Sequence, residues 1–244
     1  MAITWVGGTT LVTVASGTSV SANLPSGLQD GDLLLAFVFA RSAITPPAGW
    51  TEVVTTSTYG SAQRFAAYKK DTVSSGDSGA SLSFTQASSG RMGVVFAAAR
   101  GGKPLVNHVL VSTALNTNYA ISPPVISSNL SNSLFIVAAS PFLTATSGSV
   151  TPTESTGATL FSGSVEQNRI AAFRKSASYS DSYAGSINVW PAGSPGDTTN
   201  SIGAITILVS EPAVAAGFQT PVFGTASAVT DNISQASGFS SSAF

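Results

Sequence analysis

The chain has 244 residues, 10 Lys plus Arg against 11 Asp plus Glu, a formal net charge of −1 and only 9% charged residues, far below the roughly 25% usual in soluble domains. This balance gives no electrostatic footprint for a nucleic-acid backbone or an anionic membrane, and the lack of cysteine excludes disulfides and thiolate metal sites. The length allows one large β domain or two small ones with a real core.

Thr9 to Val14 and Thr18 to Leu24 are alternating β-branched and small runs separated by Gly17 and closed by Pro25-Ser26-Gly27, a strand-turn-strand-turn pattern. Gly31-Asp32 then opens the apolar run Leu33 to Ala40. Periodicity alone leaves that run open as a helix turn or a strand covered on both faces; the flanking Gly-Asp and Thr45-Pro46-Pro47-Ala48-Gly49-Trp50 favour a central strand. The Pro-Pro-Ala-Gly segment is a turn, and Trp50 leads into the β-branched Thr51 to Thr58. Strands follow over Gln63 to Asp71, Ala80 to Thr85 and Arg91 to Ala99, the last ending at Arg100-Gly101-Gly102.

The strand Arg64-Phe65-Ala66-Ala67-Tyr68-Lys69-Lys70 returns as Arg169-Ile170-Ala171-Ala172-Phe173-Arg174-Lys175, at an offset of 105. Asn132-Ser133-Leu134 stands where Gly31-Asp32-Leu33 stood, at 101, and Ser201 to Ile205 where Arg91 to Val95 stood, at 110. An offset that climbs from strand to strand is what loop insertions between fixed strands produce. Val109 to Ser112 and Tyr119 to Ile126 echo the opening strands. The pattern predicts an all-β, jelly-roll-like β-sandwich built from two homologous halves related by a pseudo-twofold axis: residues 1–106, residues 107–211 packed on them, and an extended C-terminal arm over 212–244. Two separate sandwiches are the other arrangement; the short link from Gly102 to Asn107 favours one unit.

The arm is small, polar and nearly uncharged. It repeats Gly-Phe, four residues, Phe, at Gly217 to Phe223 and Gly238 to Phe244. One reading is a disordered tail. The other is a docking arm in which Phe218, Phe223, Phe239 and Phe244 anchor on a neighbouring subunit, each burying about 2 kcal/mol of side chain.

Reaction chemistry is scarce. His108 is the single histidine, and the chain has no Gly-x-Ser-x-Gly elbow, so we expect no catalytic set, no metal and no cofactor, and no enzyme. Asp30 and Asp32 flank Gly31 as turn carboxylates or, less simply, as two ligands of a calcium ion whose remaining loop spacing is missing. Lys69-Lys70 and Arg174-Lys175 end their strands, where Lys blocks stray pairing or meets an acidic partner. Trp50, Tyr59, Tyr183 and Trp190 are the candidates for glycan contacts; for Trp50 and Trp190 the competing reading is core or rim packing.

At Gly31-Asp32-Leu33-Leu34-Leu35-Ala36, Thr45-Pro46-Pro47-Ala48-Gly49-Trp50, Ala67-Tyr68-Lys69 and Met92 to Arg100 the chain resembles a diffuse group of β-rich bacteriophage structural proteins. The resemblance covers roughly residues 18 to 106 well and the second half more loosely. It implies a jelly-roll-like virion component, a capsid-decoration or tail-associated protein, with other virion proteins and its own copies as partners. Nucleic acid and membrane are not expected partners. Met1 to Trp5 has no basic region followed by an apolar stretch, and no apolar run reaches the ~20 residues of a membrane span, so assembly into the virion is expected in the host cytoplasm. A carbohydrate-binding module for host recognition is the alternative function, and a hydrolase the weakest.

Overall fold

The computed structural model describes residues 3–59, 63–113, 120–123, 125–127, 132–142, 153–162, 170–177, 182–188 and 201–211. Residues 1–212 form one compact unit, and the remainder of the chain lies outside the described residues.

The first sheet has seven strands: β1 (Thr4–Gly8), β2 (Val12–Asn23), β3 (Leu33–Ala40), β4 (Ile44–Thr45), β5 (Trp50–Tyr59), β6 (Gln63–Lys70) and β7 (Ser81–Arg100). Their order is β1-β7-β3-β6-β5, with β2 and β4 also paired to β7. All pairs are antiparallel. The rest of the chain supplies β8 (Lys103–Thr113), β9 (Ala120–Ile121), β10 (Ile126–Ser127), β11 (Ser133–Phe142), β12 (Thr153–Glu154), β13 (Thr159–Ser162), β14 (Ala171–Ala177), β15 (Ser182–Tyr183), β16 (Ile187–Asn188) and β17 (Ser201–Ser210). Five of these form the second large sheet, in the order β13-β14-β11-β17-β8; β12-β16-β9 and β10-β15 are small antiparallel sheets.

The eight residues of β3 are all buried, as the apolar run predicts for a strand covered on both faces. Its alternation sorts them between two cores. Leu33, Leu35, Phe37 and Phe39 join Phe65, Val95 and Ala97 in a layer that also holds Leu134, Ile136, Ile170, Ile205 and Ile207 of the second sheet, so the two sheets pack face to face. Leu34, Ala36 and Val38 face the other way, into a core shared with Val20, Leu24, Trp50, Phe84 and Phe96. The outer face of the second sheet, with Phe135, Val137, Phe173 and Ala204, is covered by Tyr183 and Ile187. The result is an all-β sandwich in which each large sheet carries its own outer cover.

Three local expectations change. The two runs expected between Thr9 and Leu24 merge into one strand, β2 (Val12–Asn23), with Thr9 to Leu11 left outside it, and the runs at Ala80 to Thr85 and Arg91 to Ala99 merge into one 20-residue strand, β7 (Ser81–Arg100). Gly17 pairs with Gly90 where the register shifts, so two residues without side chains face each other and the ribbon bends instead of breaking. The segment Gly102 to Asn107, expected as a link, is mostly strand: β8 begins at Lys103, and His108 sits within it opposite Thr206. Among the described residues the run Tyr119 to Ile126 contributes only to the two-residue strands β9 and β10, and Pro123, between them, has no N–H for a ladder.

Candidate functional site

β1 and β2 lie along the same side of β7, broken at Thr9 to Leu11. There the Thr9 N–H donates to the Phe96 carbonyl (3.0 Å) and the Phe96 N–H donates to Thr9 Oγ1 (3.0 Å), so a side chain completes what the ladder misses. This break and the Gly17–Gly90 bend let the ribbon curl until its far end returns to its start; a Cβ on Gly7 would stand 3.7 Å from Pro25 Cβ. Between the two ends lies a groove of about 570 Å³, walled by Gly8, Thr9, Thr10 and Val12 on one side and Ser21 through Ser26 on the other.

The far wall is fixed from behind. The Leu24 N–H donates to Ala80 O (2.8 Å), the Gly79 N–H to Pro25 O (3.2 Å) and the Gly27 N–H to Ser78 Oγ (2.8 Å). Arg100 Nη2 donates to the Gly27 carbonyl (3.0 Å) while Nε and Nη2 grip both oxygens of Asp32 (2.9 and 3.0 Å). That hydrogen bond to Asp32 raises the Arg100 pKa further above its ordinary value. The Asp32 carboxylate is almost wholly buried and also accepts the Gln29 N–H (2.8 Å). None of the groove-lining side chains titrates. The groove therefore offers hydroxyls, one amide and strand edges to a ligand, which suits binding rather than bond-making.

The sequence-derived candidates fall elsewhere. Trp50 is only 6% exposed, its ring 5.4 Å from that of Phe84 and 5.9 Å from that of Phe96. Tyr183 is fully buried, 6.0 Å from the Phe135 ring. Neither offers an open face for a sugar to stack on. Tyr59 closes β5, its backbone paired with Gln63. Trp190 and the arm residues Phe218, Phe223, Phe239 and Phe244 lie outside the described residues.

Asp30 and Asp32 have separate partners, Asp30 Oδ1 accepting the Ser75 N–H (2.8 Å). Among the described residues no three His, Asp or Glu side chains gather into a possible metal site. The basic strand ends meet partners within the chain: Lys70 pairs with Asp77, Lys69 with Asp71 (3.6 Å), and the Arg174 guanidinium lies 5.0 Å over the Trp5 ring. Burial pushes the Asp77 carboxyl up, but hydrogen bonds from Lys70 and Ser74 outweigh it and leave its pKa lowered.

Three features escaped the sequence reading. Trp5, from β1, packs its ring at a tilt against that of Phe161 of β13 (centroids 4.8 Å apart) and joins the two sheets at one edge. Gln86, 4% exposed, ties three segments together through both ends of its amide. Glu154 accepts the Thr156 N–H (2.8 Å), the Thr156 hydroxyl (2.7 Å) and the Ala158 N–H (2.9 Å) beside the Tyr183 phenol. Burial raises the Glu154 pKa, these hydrogen bonds overcome it, and the net shift is downward. Burial, then the Glu154 carboxylate, pushes the Tyr183 phenol well above its ordinary value. Comparison of the chain with protein-family models, with curated proteins and with solved structures finds no match.

Proposed function

We propose that the protein is a structural component of a bacteriophage particle, a capsid-decoration or tail-associated module that acts by packing against other virion proteins and against its own copies. The observation that carries this reading is where the phage-like motif residues sit. Gly31 has φ of 81° and Gly49 φ of 77°, conformations that glycine adopts without strain. Asp32 anchors Arg100, and Trp50 fills the outer core. The motifs are the points on which the framework turns, so the resemblance is one of architecture, and the architecture is what such proteins would share.

The surface supports a packing role. On the ribbon, the exposed pairs Ser21–Ser83 and Ser16–Ser89 join through their hydroxyls at 2.6 and 3.1 Å, and Asn23, Ser81 and Thr85 extend the same uncharged face. Association through such faces relies on burial and hydrogen bonds and depends weakly on salt. In this reading residues 212–244 are the fastening arm and the protein carries no cofactor. A carbohydrate-binding role has less support, since Trp50 and Tyr183 are interior.

The finer architecture belongs to the same proposal: two homologous, jelly-roll-like halves about a pseudo-twofold axis. Leu35 pairs with Lys69 and their counterparts at offsets 101 and 105, Ile136 and Arg174, also pair. Ala36 pairs with Phe96, and Val137 with Thr206, at offsets 101 and 110. Asn132, the counterpart of Gly31, has φ of 60°, a positive value like that of the glycine.

The test is fractionation of a phage lysate that encodes the chain. We expect the protein to co-sediment with particles and to stay bound in ~1 M salt, where surface ion pairs are screened. Absence from particles refutes the function; release by modest salt refutes the mechanism.

A further inference from the structure

We propose that the groove between Gly8 to Val12 and Ser21 to Ser26 receives the C-terminal segment of a second copy of the chain, laid in as an added strand. This rests on the self-association in the function proposed above and names the surface that would carry it. Among the described residues β1 and β2 pair only with β7, so the opposite edge of each presents backbone N–H and C=O groups free to take another strand. Gly79, at which an added Cβ would meet nothing within 4 Å, leaves that part of the lining bare of side chain, so a backbone can approach there.

The chemistry of the occupant follows from the walls. They bear no charge, and Val12, Leu24 and Pro25 contribute apolar atoms between the hydroxyls and the Asn23 amide. Residues 213–244 match this: Asp231 is their one charged residue, and Phe218 follows Gly217 near their start. Reach is ample. β17 delivers the chain beside the start of β1, since a Cβ on Gly102 would stand 2.5 Å from Ile3 Cδ1 and 2.6 Å from Val209 Cγ1. The segment beyond can span roughly 100 Å when extended.

Because the native chain has no cysteine, the contact can be trapped site by site. A Thr10→Cys chain is mixed with a Phe218→Cys chain and oxidised; Thr10 is exposed at the groove mouth. A docked arm raises the effective concentration of the two thiols, so the mixed disulfide should exceed that from an exposed Thr58→Cys control by about tenfold or more. Thr10→Trp, which fills the mouth without touching the core, should weaken self-association about tenfold at an unchanged unfolding midpoint. Sedimentation of the native chain separates the two failures. An oligomer without the Thr10–Phe218 disulfide, or a disulfide formed only within a chain carrying both cysteines, overturns the groove assignment and leaves the packing function standing. A native chain that is monomeric at high concentration overturns both.

Discussion

Gln86 gives the sharpest test of how the ribbon is held. Its Oε1 accepts the N–H of Arg41 (3.0 Å) and of Ser42 (3.3 Å), and its Nε2 donates to the carbonyls of Gly17 (2.8 Å) and Gly90 (2.9 Å). Gln86→Leu keeps the volume and removes every bond. Counting also the long bond from the Ser42 hydroxyl to Oε1 (3.4 Å), three of the five are of good length, each contributes about 1 kcal/mol net, and their partners are half-buried and regain some water, so the loss should be about 3 kcal/mol. With a urea slope of about 3 kcal/mol/M, at the upper end for a unit this large, the midpoint should fall by about 1 M. Hydrogen exchange should also quicken at the Arg41 and Ser42 amides. Gln86→Glu sharpens the result, because at neutral pH it aims a carboxylate at the Gly17 and Gly90 carbonyls. That site raises the folded pKa above the unfolded value, so the variant should be least stable above the folded pKa and recover as pH falls toward the unfolded one. A Leu variant within about 0.5 kcal/mol of the native protein, with unchanged exchange at both amides, refutes the claim that Gln86 holds the bend.

Two further substitutions test the covers and the sheet. Glu154→Gln should cost about 1–2 kcal/mol at neutral pH, since the carboxylate accepts three hydrogen bonds that an amide can only partly replace. The folded pKa of Glu154 is lowered from 4.5, so its contribution is present above that value and is lost as pH falls through the folded pKa; chemical unfolding at stepped pH should show the two proteins converging in acid. Gly93→Ala sets a methyl against the Phe39 ring and Thr13, and thermal unfolding should report a loss of about 1–3 kcal/mol, largely rescued by Phe39→Leu.

The central strands were legible because each rests on a continuous apolar run with turn chemistry at its ends. Leu33 to Ala40 needed no long-range knowledge. The ribbon was harder: Gly17 reads locally as a turn, and only the register that places it opposite Gly90 turns it into a bend within one strand. The groove was invisible for the same reason, since its walls are nine or more residues apart and meet only because the ribbon curls. Trp50 and Tyr183 misled as glycan candidates because an aromatic beside a turn looks the same in sequence whether its ring points out or in. Gln86 gave no signal, one polar residue among Thr85, Ala87 and Ser88, and its role exists only through the backbone of Gly17 and Arg41.

What the two sheets keep and what they change bears on the proposed duplication. The bidentate pair Asp32–Arg100 has as counterparts, at offsets 101 and 110, Ser133 and Ser210, both buried. The positive φ just before this position is kept, by Gly31 in one sheet and Asn132 in the other, and so is the pairing register of the central strands. On the proposed duplication, a charge pair in one sheet stands where two hydroxyls stand in the other, over the same backbone geometry. The Asp32 carboxylate is buried while Arg100 is partly exposed, so removing Arg100 alone leaves a buried charge uncompensated, whereas removing both leaves none. Asp32→Ser with Arg100→Ser should then be milder in chemical denaturation than the sum of the two single changes. Strict additivity would mean that the pair is not a unit, and would remove the physical basis for treating the two strand entrances as variants of one design.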